Sequence, residues 1–381
     1  MIYFDNNATT RIAPTVAEAM LPFLADSFGN PSSAHAAGRS AREAVAVARA
    51  SVAKLLGATA GEIAFTSGGT ESDNWAIRGA LAAAPQKKHI VTTRVEHEAV
   101  RNLCQILERD GYEVTWLDVD GAGAINLDQL RDTLRPDTAV VSVMMANNET
   151  GVLFPVREVS AIVRERSQAF FHVDGVNAAG KTTIDLAGGE IDLFSISAHK
   201  FHGPKGIGAI YIRDGVNIPP FAIGGGQEMN RRAGTEAVHQ IVGLGAAAEL
   251  VRDLSPMKHI RVLRDRLESE IIRRVPDSTV NGSIDNRLPN TSNISFENMN
   301  GEVILAHLDE SGICVSTGSA CNSADHKVSP VLEAMDVPYS KAMGSIRFSL
   351  GRYNSEEEVK QVVDEVEGIV GRLRRVAGYV R

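Results

Sequence analysis

Cysteine is scarce: the 381 residues hold only Cys104, Cys314 and Cys321, widely spaced and odd in number. No C-x-x-C pair occurs, which argues against a zinc or iron–sulfur site built within the chain and against a disulfide framework. Positive charge is not in excess. The 39 Lys and Arg against 47 Asp and Glu leave a net charge of −8, so no global basic field favours nucleic acid. Long apolar runs are missing too, and the weakly polar stretches 138–146 and 241–248 fall far short of a membrane span. The start, Met1-Ile-Tyr-Phe-Asp-Asn-Asn, lacks the charged residues and apolar stretch of a signal peptide. The expectation is a cytoplasmic protein that engages neither nucleic acid nor membrane directly.

What the chain does have is an ordinary globular composition, 44% apolar and 23% charged, and length enough for two domains. From Gly38 onward helical and strand patterns alternate. Val45, Ala48, Val52 and Leu55 recur at helical spacing, and Gly57 ends the run. Strands are predicted at 63–66, 89–93, 112–119, 138–145, 169–174, 191–197 and 206–212. A helix through Val100, Leu103, Cys104 and Leu107 separates the second from the third. Near-continuous apolar strands divided by helices predict a mostly parallel sheet covered on both faces. Beyond Pro256 come a long charged helix through Arg274 and short strands at 291–296, 313–317 and 345–350. A last helix starts at Ser355, with Glu358 as its capping-box partner. The pattern divides into a large α/β domain over 1–255, N-terminal segment included, and a smaller α+β domain over 256–381.

One string invites a nucleotide-binding reading. Gly175-Val-Asn-Ala-Ala-Gly180-Lys181-Thr182 fits G-x-x-x-x-G-K-[ST] and follows a predicted strand. Such a loop must open a helix whose N–H groups meet the phosphates. Here the continuation, 182–189, carries β-branched residues and a glycine pair, a poor helix. Nor does the run 138–145 end in an Asp for Mg²⁺, since Asn147 and Asn148 follow it. A P-loop protein is the distant rival.

In an open parallel sheet, ligands sit beyond the carboxyl ends of the strands. At one such end, Ser67-Gly68-Gly69-Thr70 either opens a helix onto an anion or is a tight turn with Thr70 as N-cap. Glu96-His97 follows the next strand, and a lone His is as readily structural. Asp174 ends an apolar strand, where its charge needs a cationic partner such as a protonated pyridine nitrogen. Ser197-Ala-His199-Lys200 ends another. Desolvation there lowers a lysine's pKa and makes the amine nucleophilic, unless Lys200 snorkels to solvent. His199 and His202 have no carboxylate or thiol beside them to complete a metal site. An anion cradle, a His, an Asp and a Lys at successive strand ends meet the needs of pyridoxal phosphate. That cofactor takes a Schiff-base lysine, an acid for its ring nitrogen and a phosphate site.

Eight motifs, in order and nearly end to end, then carry a resemblance. They are Asp5-Asn-Asn-Ala-Thr-Thr10, Gly29-Asn-Pro-Ser-Ser33, Thr66-Ser-Gly-Gly-Thr-Glu-Ser72 and Asn147-Asn-Glu149. Ser197-Ala-His-Lys200, Arg232-Ala-Gly-Thr235, Ser316-Thr-Gly-Ser-Ala-Cys321 and Ile346-Arg-Phe-Ser349 complete the set. With them the chain resembles the NifS/IscS-type cysteine desulfurases of the class V aminotransferase family, which are fold-type I pyridoxal-phosphate enzymes of α/β class. The resemblance implies that Lys200 carries the cofactor, that Asp174 pairs with its pyridinium, and that His97 stacks on the ring and assists proton transfer. Gly69, Thr70, Ser197 and His199 would hold the phosphate, and Asn148 would sit near the ring. Thr235 would reach the phosphate of a partner subunit, implying a homodimer. Arg347 would clamp the substrate carboxylate with its planar fork, or else stand in a surface ion pair. Where the family usually has Gln beside the cofactor's phenolic oxygen, this chain has Asn177, shorter in reach by roughly 1.5 Å. That contact is lost, bridged by water, or recovered by a small backbone shift.

The same resemblance implies a reactive thiol. Cys104 falls on the apolar face of its helix and Cys314 in a short apolar strand, both packing positions. Cys321 has small polar neighbours, Ser319-Ala320 and Asn322-Ser323, and no apolar period covers it; an exposed loop is the expectation. About ten residues separate it from Val331-Leu332, like the longer loop of the NifS/IscS group. The implied reaction turns L-cysteine into L-alanine and leaves a persulfide on Cys321. The sulfur then passes to an acceptor protein, an iron–sulfur scaffold or a thiolation or phosphorothioation enzyme. A selenocysteine lyase or another class V enzyme is the alternative on the same fold.

Overall fold

The chain enters through a two-residue strand, β1 (Ile2–Tyr3), in a computed structural model that describes residues 1–317 and 328–376. The apolar runs that follow become β2 (Ile63–Thr66), β3 (His89–Thr93), β4 (Glu113–Leu117) and β5 (Thr138–Ser142). Next come β6 (Phe170–Asp174), β7 (Leu193–Ser197) and β8 (Gly208–Ile212). β2 to β8 form one sheet in the spatial order β2-β8-β7-β6-β5-β3-β4. Neighbours from β4 across to β7 run parallel, whereas β8 is antiparallel to both β7 and β2. The sheet is thus mostly parallel, as predicted, with one reversed strand inserted near an edge.

Alternate residues of each strand enter opposite cores. Ile90, Val140 and Ile210 meet Trp75, Ile77, Leu103 and Leu107 from the helices Gly69–Ala83 and Glu98–Arg109. Their neighbours Val91, Val141 and Phe171 face the other way, toward Val52, Leu56 and Leu244 of the helices Ala36–Leu56 and Val238–Val251. Helix Ala36–Leu56 stops at Gly57, whose φ of 65° is the left-handed cap that glycine adopts without strain.

A second core gathers around β9 (Ser278–Val280), β10 (Thr291–Phe296) and β12 (Ser345–Ser349), an antiparallel sheet with β10 at its centre. Helices Ser255–Arg274 and Glu356–Val376 supply Leu263, Leu267, Val362 and Val366 to it. The predicted capping box is present: Ser355 N–H donates to Glu358, and Glu358 N–H to Ser355 Oγ. Ile2 and Phe4 belong to this core as well, because β1 pairs in parallel with β11 (Ile313–Cys314).

The P-loop string folds as something else. No helix begins between Asp174 and Leu193, so the string lacks the dipole and N–H cluster that a triphosphate needs. Lys181 is buried, with its ammonium bonded inside the protein to Asn7 and Asn177. Gly175 is demanded by packing. A Cβ there would stand 1.9 Å from the Phe194 ring. Gly175→Ala should therefore destabilise the protein by about 1–3 kcal/mol, the usual cost of overpacking a tight core. Urea unfolding of the purified variant and parent would measure it; unchanged stability would mean that Phe194 moves aside freely.

Candidate active site

The carboxyl ends of β2, β3, β6 and β7 converge on one cavity of about 200 Å³. Nine of the twelve predicted site residues line it: Gly69, Thr70, His97, Asn148, Asp174, Asn177, Ser197, His199 and Lys200. Thr235 is exposed and lies outside the cavity. Arg347 is buried behind Asn148, whose backbone oxygen accepts from its Nη1 at 3.0 Å. Cys321 lies outside the described residues.

Helix Gly69–Ala83 presents its first residues to the cavity, and no side chain caps it. Its N-cap is Gly68, so the alternative reading of Thr70 as N-cap is set aside. Uncapped first-turn N–H groups form an anion site. A Cβ on Gly69 would stand 2.6 Å from Val176 Cγ2, so only glycine lets this turn approach the loop after β6. Glu71, in the same turn, is neutralised by Arg232 at 2.9 Å. His199 contacts Thr9 Oγ1 at 3.2 Å, and burial followed by its lysine neighbours pushes its pKa down to about 4. A neutral ring therefore borders the anion end at neutral pH.

The acid end is denser than expected. Asp174 Oδ1 accepts from Val176 N–H at 2.9 Å, and the carboxylate makes no ion pair among the described residues. Burial raises its pKa, Asp73 adds to the rise, and His97 opposes it. Beneath it His172 bridges Ser142 Oγ at 2.9 Å and Ser195 Oγ at 3.0 Å, and burial holds its pKa near 4. Asp73 Oδ1 lies 3.5 Å from that ring and has no hydrogen-bond partner among the described residues. Burial lifts the Asp73 pKa from 3.8 to about 7, with Ser195 offsetting part of the rise. Glu96 accepts from Thr93 Oγ1 and Met144 N–H and is also raised by burial. His97 caps the next helix, its Nδ1 accepting from Ala99 N–H at 3.1 Å. That bond puts the proton of the neutral ring on Nε2. Burial lowers its pKa, against the pull of Asp174.

Lys200 closes the cavity from β7's end. Its Nζ donates to the backbone oxygens of Asn7 at 2.6 Å and Ala8 at 3.0 Å. Asn177 is held at both ends by protein: its Oδ1 accepts from Lys181 Nζ at 2.8 Å and its Nδ2 donates to Asn147 O at 3.2 Å. The motif Asp5–Thr10 wraps this side. Asn7 Nδ2 reaches Asn148 O and Thr291 Oγ1, while Asp5 pairs with Arg347 at 2.8 Å. The sequence reading assigned no role in the site to Asp5, Asn7, Asp73, Glu96 or Lys181. Asp73 was detectable, as a carboxylate at helical spacing with the apolar Ala76, Ile77 and Ala80; Asp5 and Asn7 owe their roles to distant partners. Burial pushes the thiol of Cys104 up to about 12 and that of Cys314 upward, so neither is a thiolate at neutral pH. No cluster of His, Cys, Asp and Glu fit for a metal exists among the described residues.

These features fit pyridoxal phosphate. An uncapped helix start suits its phosphate, Asp174 without a cation suits a pyridinium, and an amine at a strand end suits its aldehyde. The residues therefore define a fold-type I site of an aminotransferase-like enzyme. A family model described as aminotransferase class-V matches residues 2–362, and the chain belongs to that family, whose enzymes work with pyridoxal phosphate. It is 51% identical over 381 residues to a cysteine desulfurase of Trichormus azollae, covering 100% of this chain and 95% of that protein. Identity to the cysteine desulfurase NifS of Azotobacter vinelandii is 49% over 383 residues, covering 99% and 94%. The solved structure of a NifS-like protein superposes with a TM-score of 0.92 at 40% identity, over 97% of this chain and 99% of that one.

The acid cluster yields a pH prediction. Folded, Asp73 keeps a proton up to about pH 7; unfolded, it releases it near 3.8. This group makes folding less favourable as pH rises through that window. Asp73→Asn cannot titrate, so its stability relative to the parent should climb from about pH 4 to 7 and level off above. Urea unfolding of the cofactor-free proteins at a series of pH values reads this directly. A constant difference across the series would mean that Asp73 is not held protonated.

Proposed function

We propose that this protein is a pyridoxal-phosphate-dependent cysteine desulfurase, which converts L-cysteine to L-alanine and takes the sulfur as a persulfide on Cys321. The observation that carries the reading is the single cavity that joins Lys200, Asp174 and His97 to an uncapped helix start. When bound, pyridoxal phosphate supplies the electron sink for removing the substrate's α-proton. Lys200 would hold the cofactor through its amine at the end of β7. Asp174 would face the cofactor's ring nitrogen and favour a positive charge there. His97, neutral through burial, orients and moves protons at Nε2. Gly69, Thr70, Ser197 and His199 would hold the phosphate, and Asn148 and Asn177 line the same cavity. Arg347 takes the substrate carboxylate. The Cys321 thiolate then bonds to the substrate sulfur as the substrate's carbon–sulfur bond breaks, a step that needs a polarizable nucleophile.

The wider reading follows the same lines. The enzyme is a homodimer in which Thr235 reaches the second subunit's phosphate site. Its exposure supports this, as does the exposure of Phe28 and Ile223 at 82% and 95%. The division into units near residue 255 is supported by the separate core around β10, although Ile2 and Phe4 join that core from the other end of the chain. The enzyme works in the cytoplasm and hands its sulfur to an iron–sulfur scaffold or a thiolation or phosphorothioation enzyme.

Two experiments test the chemistry. Borohydride reduction and peptide mapping should find the pyridoxyl group on Lys200; finding it on Lys181 or Lys205 would overturn the assignment. Cys321→Ala should keep the yellow colour and the spectral response to L-cysteine. Its sulfide and alanine production should drop by at least about a thousandfold, as when a covalent nucleophile is removed. Cys104→Ala and Cys314→Ala should stay active. Parent-like turnover in Cys321→Ala would leave the selenocysteine lyase reading in its place.

A further inference from the structure

Arg347 already has a carboxylate. Its Nη2 donates to Asp5 Oδ1 at 2.8 Å, and the two side chains are 4% and 18% exposed. Its Nη1 donates to Asn148 O at 3.0 Å, and its Nε has no hydrogen-bond partner among the described residues. Asn148 lines the cavity, so this guanidinium stands just behind the wall. The other ionisable groups that feel its charge are Tyr3, Glu149 and Lys181. Of these and Asp5, only Asp5 makes an ion pair with it among the described residues.

The pairing is built into the backbone. Asp5 bridges to Ser349, two residues beyond Arg347 on β12, and the Ala8 N–H donates to the Asp5 carbonyl at 3.0 Å. Arg347 is itself fixed by its backbone exchange with Ser316. Both side chains therefore start from fixed backbone positions. A second carboxylate arriving at this guanidinium meets like charge on Asp5, in a site where solvent screens poorly.

We infer that Asp5 is an internal competitor for the substrate's α-carboxylate at Arg347, weakening the hold on amino acids so that the product leaves. The inference rests on Arg347 as the carboxylate site of the proposed desulfurase. Asp5 is a positioning residue: it orients the fork, and its charge sets how tightly the fork grips a second anion. The exchange swaps one set of charge-assisted hydrogen bonds for another and consumes no proton.

The test uses the holoenzyme and L-alanine, which has the carboxylate but no sulfur to lose, followed through the cofactor's visible spectrum. Asp5→Asn keeps the shape and removes the charge, so L-alanine should bind about tenfold tighter. The KM for L-cysteine should fall with it, while kcat does not rise. L-Alaninamide, which lacks the carboxylate, should bind equally well to both proteins. Asp5→Ala should repeat the pattern should the Asn variant fold poorly. Unchanged or weaker L-alanine binding, or an equal shift for the amide, overturns the inference. Arg347→Lys separates the two layers of the reading. If it leaves L-alanine binding intact, Arg347 is not the carboxylate site and both fall. If it weakens binding while Asp5→Asn does not tighten it, only the competitor role falls.

Discussion

Asp174 is a charge-bearing group at the end of an apolar strand, buried, and makes no ion pair among the described residues. A carboxylate in that position is costly unless something positive is brought to it. Much of the surrounding structure is arranged around this cost. His172 and Ser195 lie beneath it, Asp73 and Glu96 are driven toward their neutral forms by burial, and His97 stands across the cavity. With the neighbouring acids protonated, the one negative charge is left where a pyridinium would meet it. The site thus carries an electrostatic demand that its cofactor satisfies, which ties cofactor binding to the protonation state of a whole buried layer.

The opposite side of the site is governed by carbonyls and amides. Lys200 is steered by the backbone oxygens of Asn7 and Ala8, and Lys181 by the two oxygens of Asn177 and by Asn7. No acid forms an ion pair with Lys181 among the described residues, and burial lowers its pKa well below the usual lysine range. Asn177 is shorter than glutamine by one carbon, and Lys181 takes up its oxygen. The shorter amide is therefore tied to the protein's own lysine while still lining the cavity.

Much of this was legible in the chain. Strand ends could be read because apolar runs stop where polar groups begin, and nine predicted residues do meet in one cavity. The strand Thr291–Phe296 was placed to the residue. So were 63–66 and 89–93, whereas others ran long by one to three residues, as at 112–119 and 138–145, because apolar character continues past the last ladder bond into the loop. The reversal of β8 was invisible, since a buried strand reads the same in either direction. The role of Asp5 was hidden for a different reason: a single aspartate near the start says nothing of an arginine 342 positions away. Only the fold brings such partners together.

The entry of the chain has a consequence for how the molecule is made. Ile2 pairs with Ile313, Asp5 with Arg347, and Asn7 reaches Asn148 and Thr291. During synthesis Asp5 emerges 342 positions ahead of Arg347 and must wait for it. Closing loops of that length is entropically slow and comes late. The central sheet can collect its helices from neighbours in sequence, whereas the wall that carries Lys200's carbonyl partners is finished only when β12 arrives. The central sheet comes first; competence for chemistry waits on the far end of the chain.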